Sequence, residues 1–282
     1  MKSKKKRKLW KKILALLAAV ILVSGIGLGI YVQDYYHASD LALEAAAQPQ
    51  QDITVTTSSK DRIIFTPEDP RAGLIFYPGG KVQYEAYAPL MEACAKEGIL
   101  CVLLHMPGNL AVLDINAAKG IPEEYPDIEN WYMAGHSLGG SMAASYISSH
   151  EEDFKGLILL AAYSTADLKE TGLRVLSLYG SEDGVLKMDS YEKYRDNLPE
   201  DFTEIVIPGG CHAYFGSYGP QKGDGTPQIS NEEQIRFTAD AIGDFIEDLI
   251  LKSSLYTPFP FFISDFIRDT LSTVISAFGS RT

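Results

Sequence analysis

The central part of this chain alternates short, largely apolar runs with segments of helical pattern, and this alternation restricts the folds open to it. The apolar runs are Gly73–Tyr77, Leu100–Leu104, Trp131–Gly135, Gly156–Ala162, Arg174–Tyr179 and Glu204–Ile207. Runs of this kind are typical of strands in a parallel sheet that is covered by helices on both faces. Ile53–Thr57 and Arg62–Thr66 flank a polar turn and predict an antiparallel hairpin. We therefore predict an α/β fold with a mostly parallel central sheet.

The N-terminus holds a segment long enough to cross a membrane. Ile13–Val32 is twenty residues without a charge, and a helix of that length spans roughly 30 Å, the thickness of the hydrocarbon core. Eight cations and no acid precede it. By the positive-inside rule we predict a single-pass helix in the cell membrane, with a cytoplasmic N-terminus and an extracytoplasmic body. The alternative is a secretory signal cleaved near Ala45–Ala47.

The charge and the cysteine content limit the partners and cofactors that this protein is expected to bind. The net charge is −12, and the residues after Val32 carry 17 basic against 37 acidic side chains, a balance that repels phosphate backbones and predicts no nucleic-acid partner. Cys94, Cys101 and Cys211 are too few for a disulfide framework, and Cys94 and Cys101 are expected in the core. The spacing of Cys211 to other cysteines and to histidines matches no zinc pattern. We predict neither a metal nor another cofactor.

The composition changes along the chain suggest five regions. They are a basic N-terminus at 1–12, a membrane helix at 13–32, a stalk at 33–52, a folded body at 53–252 and an extension at 253–282. One helical face of the extension is apolar and comprises Phe266, Ile267, Leu271, Val274, Ile275 and Phe278. We expect this face to pack on the body, with the membrane surface or a cap over the active site as alternatives.

A candidate nucleophile lies between a predicted strand and a predicted helix. The run Gly135-His136-Ser137-Leu138-Gly139 follows Trp131–Gly135 and precedes a helix rich in small residues. Its glycines permit a tight turn that lifts the Ser137 hydroxyl clear of the backbone. A serine hydroxyl is a weak nucleophile, so it requires a histidine base and an acid that orients the histidine.

The acid and the base are expected after later strands of the sheet. Asp183 lies in the turn after Arg174–Tyr179 and is our candidate for the acid, with Glu182 and Asp167 as alternatives. His212 follows the last predicted strand and is the only histidine in the place expected of the base. His105 ends another strand and is expected to be structural, with a position in the active-site cleft as the alternative.

The chain order Ser137, Asp183, His212 resembles that of the α/β-hydrolase superfamily. The segments that carry the resemblance are 77–81, 135–139, 180–183 and 210–212. The chain looks most like the compact group related to dienelactone hydrolases, although it has Ser where those enzymes have Cys. Like that group, it has no large insertion between the strands at Gly156 and Arg174. The resemblance implies an oxyanion hole formed by the backbone N–H groups of Leu138 and Gly80, with Lys81 as the neighbouring candidate.

The expected function follows from the triad and the membrane helix together. We predict a membrane-anchored serine hydrolase that cleaves a small carboxylic ester through an acyl-enzyme, with an amide as the second choice of substrate. The alternatives are an acyltransferase that uses the same triad and a non-catalytic, hydrolase-like surface binding module. The sequence leaves the oligomeric state open.

Overall fold

The computed structural model describes residues 2–48, 52–58, 62–200 and 202–256, and it describes only the backbone for 2–9 and 252–256. The chain divides into two compact units. Met1–Asp244 contains the entire sheet, and Phe245–Thr282 is described only for its first residues, which continue a helix. The apolar face predicted within 253–282 lies outside the described residues, so its role stays a prediction.

One eight-stranded sheet organises the larger unit. Its strands are β1 (Ile53–Ser58), β2 (Arg62–Pro67), β3 (Ala72–Tyr77), β4 (Ile99–Leu104), β5 (Trp131–His136), β6 (Gly156–Leu160), β7 (Arg174–Gly180) and β8 (Thr203–Ile207). They are arranged in the order β1-β2-β4-β3-β5-β6-β7-β8. The pairs β1–β2 and β2–β4 are antiparallel, and every later pair is parallel. The predicted mostly parallel sheet with an antiparallel hairpin is confirmed.

Helices precede, connect and follow the strands of the sheet. They are α1 (Lys2–Gln33), α2 (Asp40–Ala47), α3 (Ala88–Lys96), α4 (Leu138–Ile147), α5 (Met188–Arg195) and α6 (Asn231–Tyr256). A 3₁₀ turn at Tyr84–Tyr87 leads into α3, which has a proline in its first turn. There the missing N–H of proline costs nothing, because first-turn N–H groups have no partner within the helix.

The core lies on both faces of the central strands. Every residue of β3, β4, β5 and β6 is buried, as expected for strands covered on both faces by other elements. The strand β1 has mostly exposed or half-buried residues because it is the edge of the sheet. The connection from β6 to β7 is a loop without a helix, in agreement with the expected absence of a large insertion there.

The segment after α1 differs from the expected stalk. Residues 40–47 form α2, which begins at the capping hydroxyl of Ser39 and buries Ala42, Ala45 and Ala46. Before it, the N–H of Ser39 donates to the carbonyl of Ser217 at 2.8 Å. The small alanine side chains of α2 allow it to approach neighbouring elements closely, which explains why this segment is rich in alanine. Among the described residues of the segment, Ser39 and α2 therefore pack on the body.

Two further elements qualify the predicted pattern. The sequence did not predict α5, because this helix is mostly polar and buries only Tyr191. The first helix, α1, contains one candidate membrane span, Trp10–Gln33, with a mean hydropathy of 2.7 and no buried residues in its most apolar window. A membrane anchor and a signal sequence both fit this helix.

Candidate active site

The turn between β5 and α4 holds Ser137 in a backbone conformation that few residues adopt. Its φ is 52° and its ψ is −121°. The flanking glycines make the turn possible, because a Cβ at Gly135 would lie 2.6 Å from the carbonyl carbon of Gly139, and one at Gly139 would lie 2.2 Å from the carbonyl oxygen of Pro78. The turn leaves Ser137 half-buried at the carboxyl end of a central strand. A strained strand-to-helix turn of this kind projects the serine hydroxyl away from the sheet.

Asp183 and His212 meet as a buried pair at the carboxyl ends of β7 and β8. Nδ1 of His212 lies 2.9 Å from Oδ2 of Asp183, and both side chains are almost fully buried. The other carboxylate oxygen of Asp183 accepts the backbone N–H groups of Val185 and Leu186 at 2.9 and 2.8 Å. The carboxylate therefore has a fixed orientation, and it fixes the imidazole ring in turn.

The other candidate acids lie elsewhere. Glu182 accepts hydrogen bonds from Ser181 and Gln228, and it is not bonded to His212. Asp167 is exposed and accepts the N–H of Lys169 within its own turn. His105 is exposed, with its ring 4.9 Å from the ring of Tyr84.

The ring of His212 lies beside the serine turn, next to the residue that precedes Ser137. The ring of His136, the residue before Ser137, lies 4.5 Å from the ring of His212. Nε2 of His212 is buried and has no hydrogen-bond partner among the described residues. No hydrogen bond joins it to the Ser137 hydroxyl in the described part of the chain. Such contacts are often long in the free form of an enzyme and shorten when substrate binds.

The loop after β3 offers one free backbone donor beside this turn. The N–H of Gly79 donates to the hydroxyl of Tyr87 at 3.0 Å, and the N–H of Lys81 donates to the carbonyl of Asn109 at 2.8 Å. Between them, the N–H of Gly80 has no partner among the described residues. A Cβ at Gly80 would lie 2.9 Å from the side chain of Leu138, so the two residues are in contact. Leu138 begins α4, where first-turn N–H groups have no partner within the helix.

Tyr87 and His136 form a second buried polar pair, which sequence reasoning missed. The Tyr87 hydroxyl lies 2.8 Å from Nδ1 of His136. Burial lowers the pKa of His136 well below its ordinary value, and the nearby His212 ring acts in the same direction, while the backbone of His212 opposes them. His136 is therefore neutral at pH 7, as an acceptor of the tyrosine proton must be. Burial raises the pKa of Tyr87, which keeps its hydroxyl protonated.

Asp224 connects the loops that carry Asp183 and His212, the candidate acid and base, and sequence reasoning missed it as well. Its carboxylate accepts the N–H of Gly184 at 3.1 Å, that of His212 at 3.2 Å and that of Ala213 at 2.8 Å. Burial opposes its ionisation, but these backbone donors outweigh burial and lower the pKa of Asp224. The only signal in the sequence was an acid inside a glycine-rich loop, which is also typical of a solvated turn.

None of the three cysteines is suited to act as a nucleophile. All three are buried and free, and burial together with the charge of Asp224 raises the pKa of Cys211 to about 12. A thiol in that state is a poor nucleophile at pH 7. Among the described residues, no group of three or more His, Cys, Asp or Glu side chains could hold a metal ion.

The sheet order, the strained serine turn and the buried Asp–His pair define a protein of the α/β-hydrolase fold. A model of the alpha/beta hydrolase family matches residues 73–236, more than half of the chain. The chain therefore belongs to that family and is a hydrolase. The resemblance inferred from its motifs is confirmed at the level of the family.

Known proteins resemble the chain more closely in fold than in sequence. A proline iminopeptidase of Elizabethkingia meningoseptica is 27% identical over 84 residues, which is 30% of this chain and 28% of that protein. Among solved structures, Est1E from Butyrivibrio proteoclasticus superposes with a TM-score of 0.51 and 13% identity over 71% of this chain and 99% of that one. The protein TT1662 from Thermus thermophilus gives a TM-score of 0.52 and 15% identity, covering 69% of this chain and 98% of that one.

Proposed function

We propose that this hydrolase is a membrane-anchored serine enzyme that cleaves a carboxylic ester through an acyl-enzyme. The observation that carries the proposal is the buried contact of 2.9 Å between Asp183 and His212, because the ring of His212 also lies 4.5 Å from that of His136, the residue before the strained Ser137. A buried imidazole with one nitrogen held by a carboxylate and the other without a partner suits a general base.

In the first half of the reaction, the hydroxyl oxygen of Ser137 attacks the ester carbonyl carbon while Nε2 of His212 takes the hydroxyl proton. The carbonyl oxygen becomes an oxyanion and accepts the N–H groups of Leu138 and Gly80. When the tetrahedral intermediate collapses, the bond to the alcohol oxygen breaks. The leaving alcohol takes the proton from Nε2, and the acyl group remains on Ser137.

In the second half, a water molecule attacks the acyl-enzyme and gives its proton to Nε2 of His212. The second intermediate collapses, the proton returns to the oxygen of Ser137, and the carboxylic acid leaves. Asp183 holds the ring of His212 in position in both halves and stabilises its charged form. An alcohol or amine in place of water would make the same site an acyltransferase.

The membrane assignment rests on α1. Its candidate span ends at Gln33, directly before the folded body, and eight cations precede its apolar part. We infer a single-pass anchor with a cytoplasmic N-terminus, which places the active site on the extracytoplasmic side.

Covalent labelling with a fluorophosphonate tests the chemistry on the full chain in detergent. The native protein should be labelled, and Ser137→Ala should not be. Ser141→Ala is the matched control, because Ser141 lies one turn further along α4 and donates to the carbonyl of Tyr163 at 2.8 Å. Undiminished labelling of Ser137→Ala would exclude the proposed nucleophile. Product analysis with esters and N-terminal proline amides, with and without an added alcohol, separates esterase, peptidase and transferase activity.

A further inference from the structure

The end of the candidate membrane span contacts the loop that supplies the proposed oxyanion donor. Nζ of Lys81 lies 2.7 Å from Oδ2 of Asp34 and 4.5 Å from the centre of the Tyr31 ring. Lys81 directly follows Gly80 in the chain. The hydrogen bond and charge of Lys81 lower the pKa of Asp34, so this carboxylate is ionised at pH 7.

Backbone hydrogen bonds fix the same contact. Tyr36 and Val82 form a parallel β-bridge. The N–H of Tyr36 donates to the carbonyl of Lys81 at 2.8 Å, and the N–H of Gln83 donates to the carbonyl of Tyr36 at 2.9 Å. Tyr36 lies three residues beyond the end of the span. A flexible stalk would let the body take any orientation relative to the membrane. This bridge instead holds the loop after β3 within a few residues of the end of the span.

Two exposed apolar side chains of the body lie close to the end of the membrane span. A Cβ at Gly108 would lie 3.1 Å from Val32 of α1 and 3.8 Å from Leu113. Val112 and Leu113 are 49% and 53% exposed, and residues 106–113 carry no charge. We call Val112 and Leu113 the docking pair. Because Gly108 lies between Val32 and Leu113, we place the docking pair at the level where the span ends.

We propose that the docking pair inserts into the membrane interface and that the catalytic site takes an acyl ester of a membrane lipid directly from the bilayer. This rests on the proposed function, because it assumes both the anchor and the serine chemistry. In a bilayer lipid, the ester carbonyl lies between the acyl chains and the headgroups, at the depth where the span ends. The acyl chain can then remain in hydrocarbon while the carbonyl reaches Ser137, so no apolar surface is transferred to water.

A fluorescent reporter tests the docking separately from catalysis. An environment-sensitive dye is attached through Leu113→Cys in the full chain, and the three native cysteines are buried. In phosphatidylglycerol vesicles, its emission should shift to the blue and be quenched by lipids with spin labels near the interface. The matched control is Val206→Cys on the edge strand β8, which is 42% exposed and should show neither effect. A dye at position 113 that stays in water would overturn the proposal, as would a dye whose emission shifts to the blue but is not quenched by the spin-labelled lipids, which indicates burial against a second protein copy.

Turnover of two esters in the same vesicles tests the source of the substrate. We expect Val112→Asp with Leu113→Asp to lower the ratio of p-nitrophenyl palmitate to p-nitrophenyl acetate turnover about tenfold, because carboxylates resist insertion into the interface. Val206→Asp should leave the ratio unchanged. An unchanged ratio in the double variant would overturn direct uptake from the bilayer. If the dye inserts but the native protein is not labelled by a fluorophosphonate, the proposed chemistry fails while the docking stands.

Discussion

The hydroxyl of Tyr87 lies 2.8 Å from Nδ1 of His136, and it also accepts the backbone N–H of Gly79 at 3.0 Å. A phenol has one proton, so Tyr87 donates it to Nδ1, and the neutral His136 carries its own proton on Nε2. One buried hydroxyl therefore joins the serine turn to the loop after β3, the two segments that carry the proposed oxyanion donors Leu138 and Gly80.

Removing that hydroxyl should damage both stability and catalysis. Tyr87→Phe leaves the N–H of Gly79 and Nδ1 of His136 buried without a partner, which we expect to cost about 2 kcal/mol in the free energy of unfolding. The fluorophosphonate labelling rate should fall as well. Tyr191→Phe is the control, because its hydroxyl bonds Ser177 and Glu204 away from the site. It should lower stability without slowing labelling. Equal labelling rates in the two variants would assign Tyr87 a purely structural role.

The choice of acid is tested by amide substitution. Asp183→Asn keeps the shape of the side chain but presents an NH₂ group to Nδ1 of His212, which favours the wrong tautomer of the ring. We expect the labelling rate to fall by about 10²-fold to 10⁴-fold. Glu182→Gln and Asp167→Asn should have little effect, because neither residue is bonded to His212. A larger loss in either of these than in Asp183→Asn would refute the assignment.

The second oxyanion donor is tested at Gly80. A methyl group there would lie 2.9 Å from the side chain of Leu138, so Gly80→Ala should push the loop away from the serine turn. Loss of one oxyanion donor typically raises the barrier by about 3 kcal/mol, so kcat should fall by about 10²-fold with little change in thermal stability. Gly172→Ala is the control, since a Cβ there meets nothing within 4 Å. If kcat for Gly80→Ala stays near the native value, Gly80 is not the donor.

The lowered pKa of Asp224 leads us to expect that the folded protein loses stability in acid. Its pKa is lower in the folded protein than in the unfolded chain, so its stabilising effect is present above the unfolded pKa of about 4 and is lost as the pH falls through the folded pKa. Asp224→Asn should therefore lower the melting temperature at pH 7, and the difference from the native protein should shrink towards pH 3. Glu233→Gln, at an exposed carboxylate that accepts from Ser230, should change the melting temperature much less. A difference independent of pH would contradict this account.

Membrane orientation is tested on intact cells. A membrane-impermeant amine reagent should modify Lys119, which is exposed on the body, while the lysines before Ile13 react only after permeabilisation. Modified peptides can be quantified by mass spectrometry. The reverse pattern would place the body in the cytoplasm. Protein in the medium that has lost its first residues would indicate a cleaved signal sequence.

The sequence by itself was sufficient for features that depend on neighbouring residues. Continuously apolar runs predict buried parallel strands because side chains on both faces of such a sheet are covered. Glycines around Ser137 predict its turn because only they fit between strand and helix. The positions of Asp183 and His212 after later strands predict that they meet, because parallel strands bring their carboxyl ends to one edge of the sheet. The structure joins these two residues, and their catalytic roles stay predictions for the experiments above.

Only the tertiary structure could reveal the contacts between residues distant in the chain. Asp224 accepts N–H groups from Gly184, forty residues away, and from His212, twelve residues away. Tyr87 meets His136, forty-nine residues away, and residues 40–47, within the segment expected to be a stalk, form a helix with three buried alanines. An acidic residue in a glycine-rich loop has the same local sequence whether or not distant N–H groups bond to it. An alanine-rich helix likewise has the same sequence pattern whether or not it packs on another part of the chain. Only the packed fold decides which backbone N–H groups lie within hydrogen-bond distance of a side chain and which surfaces a helix can pack against.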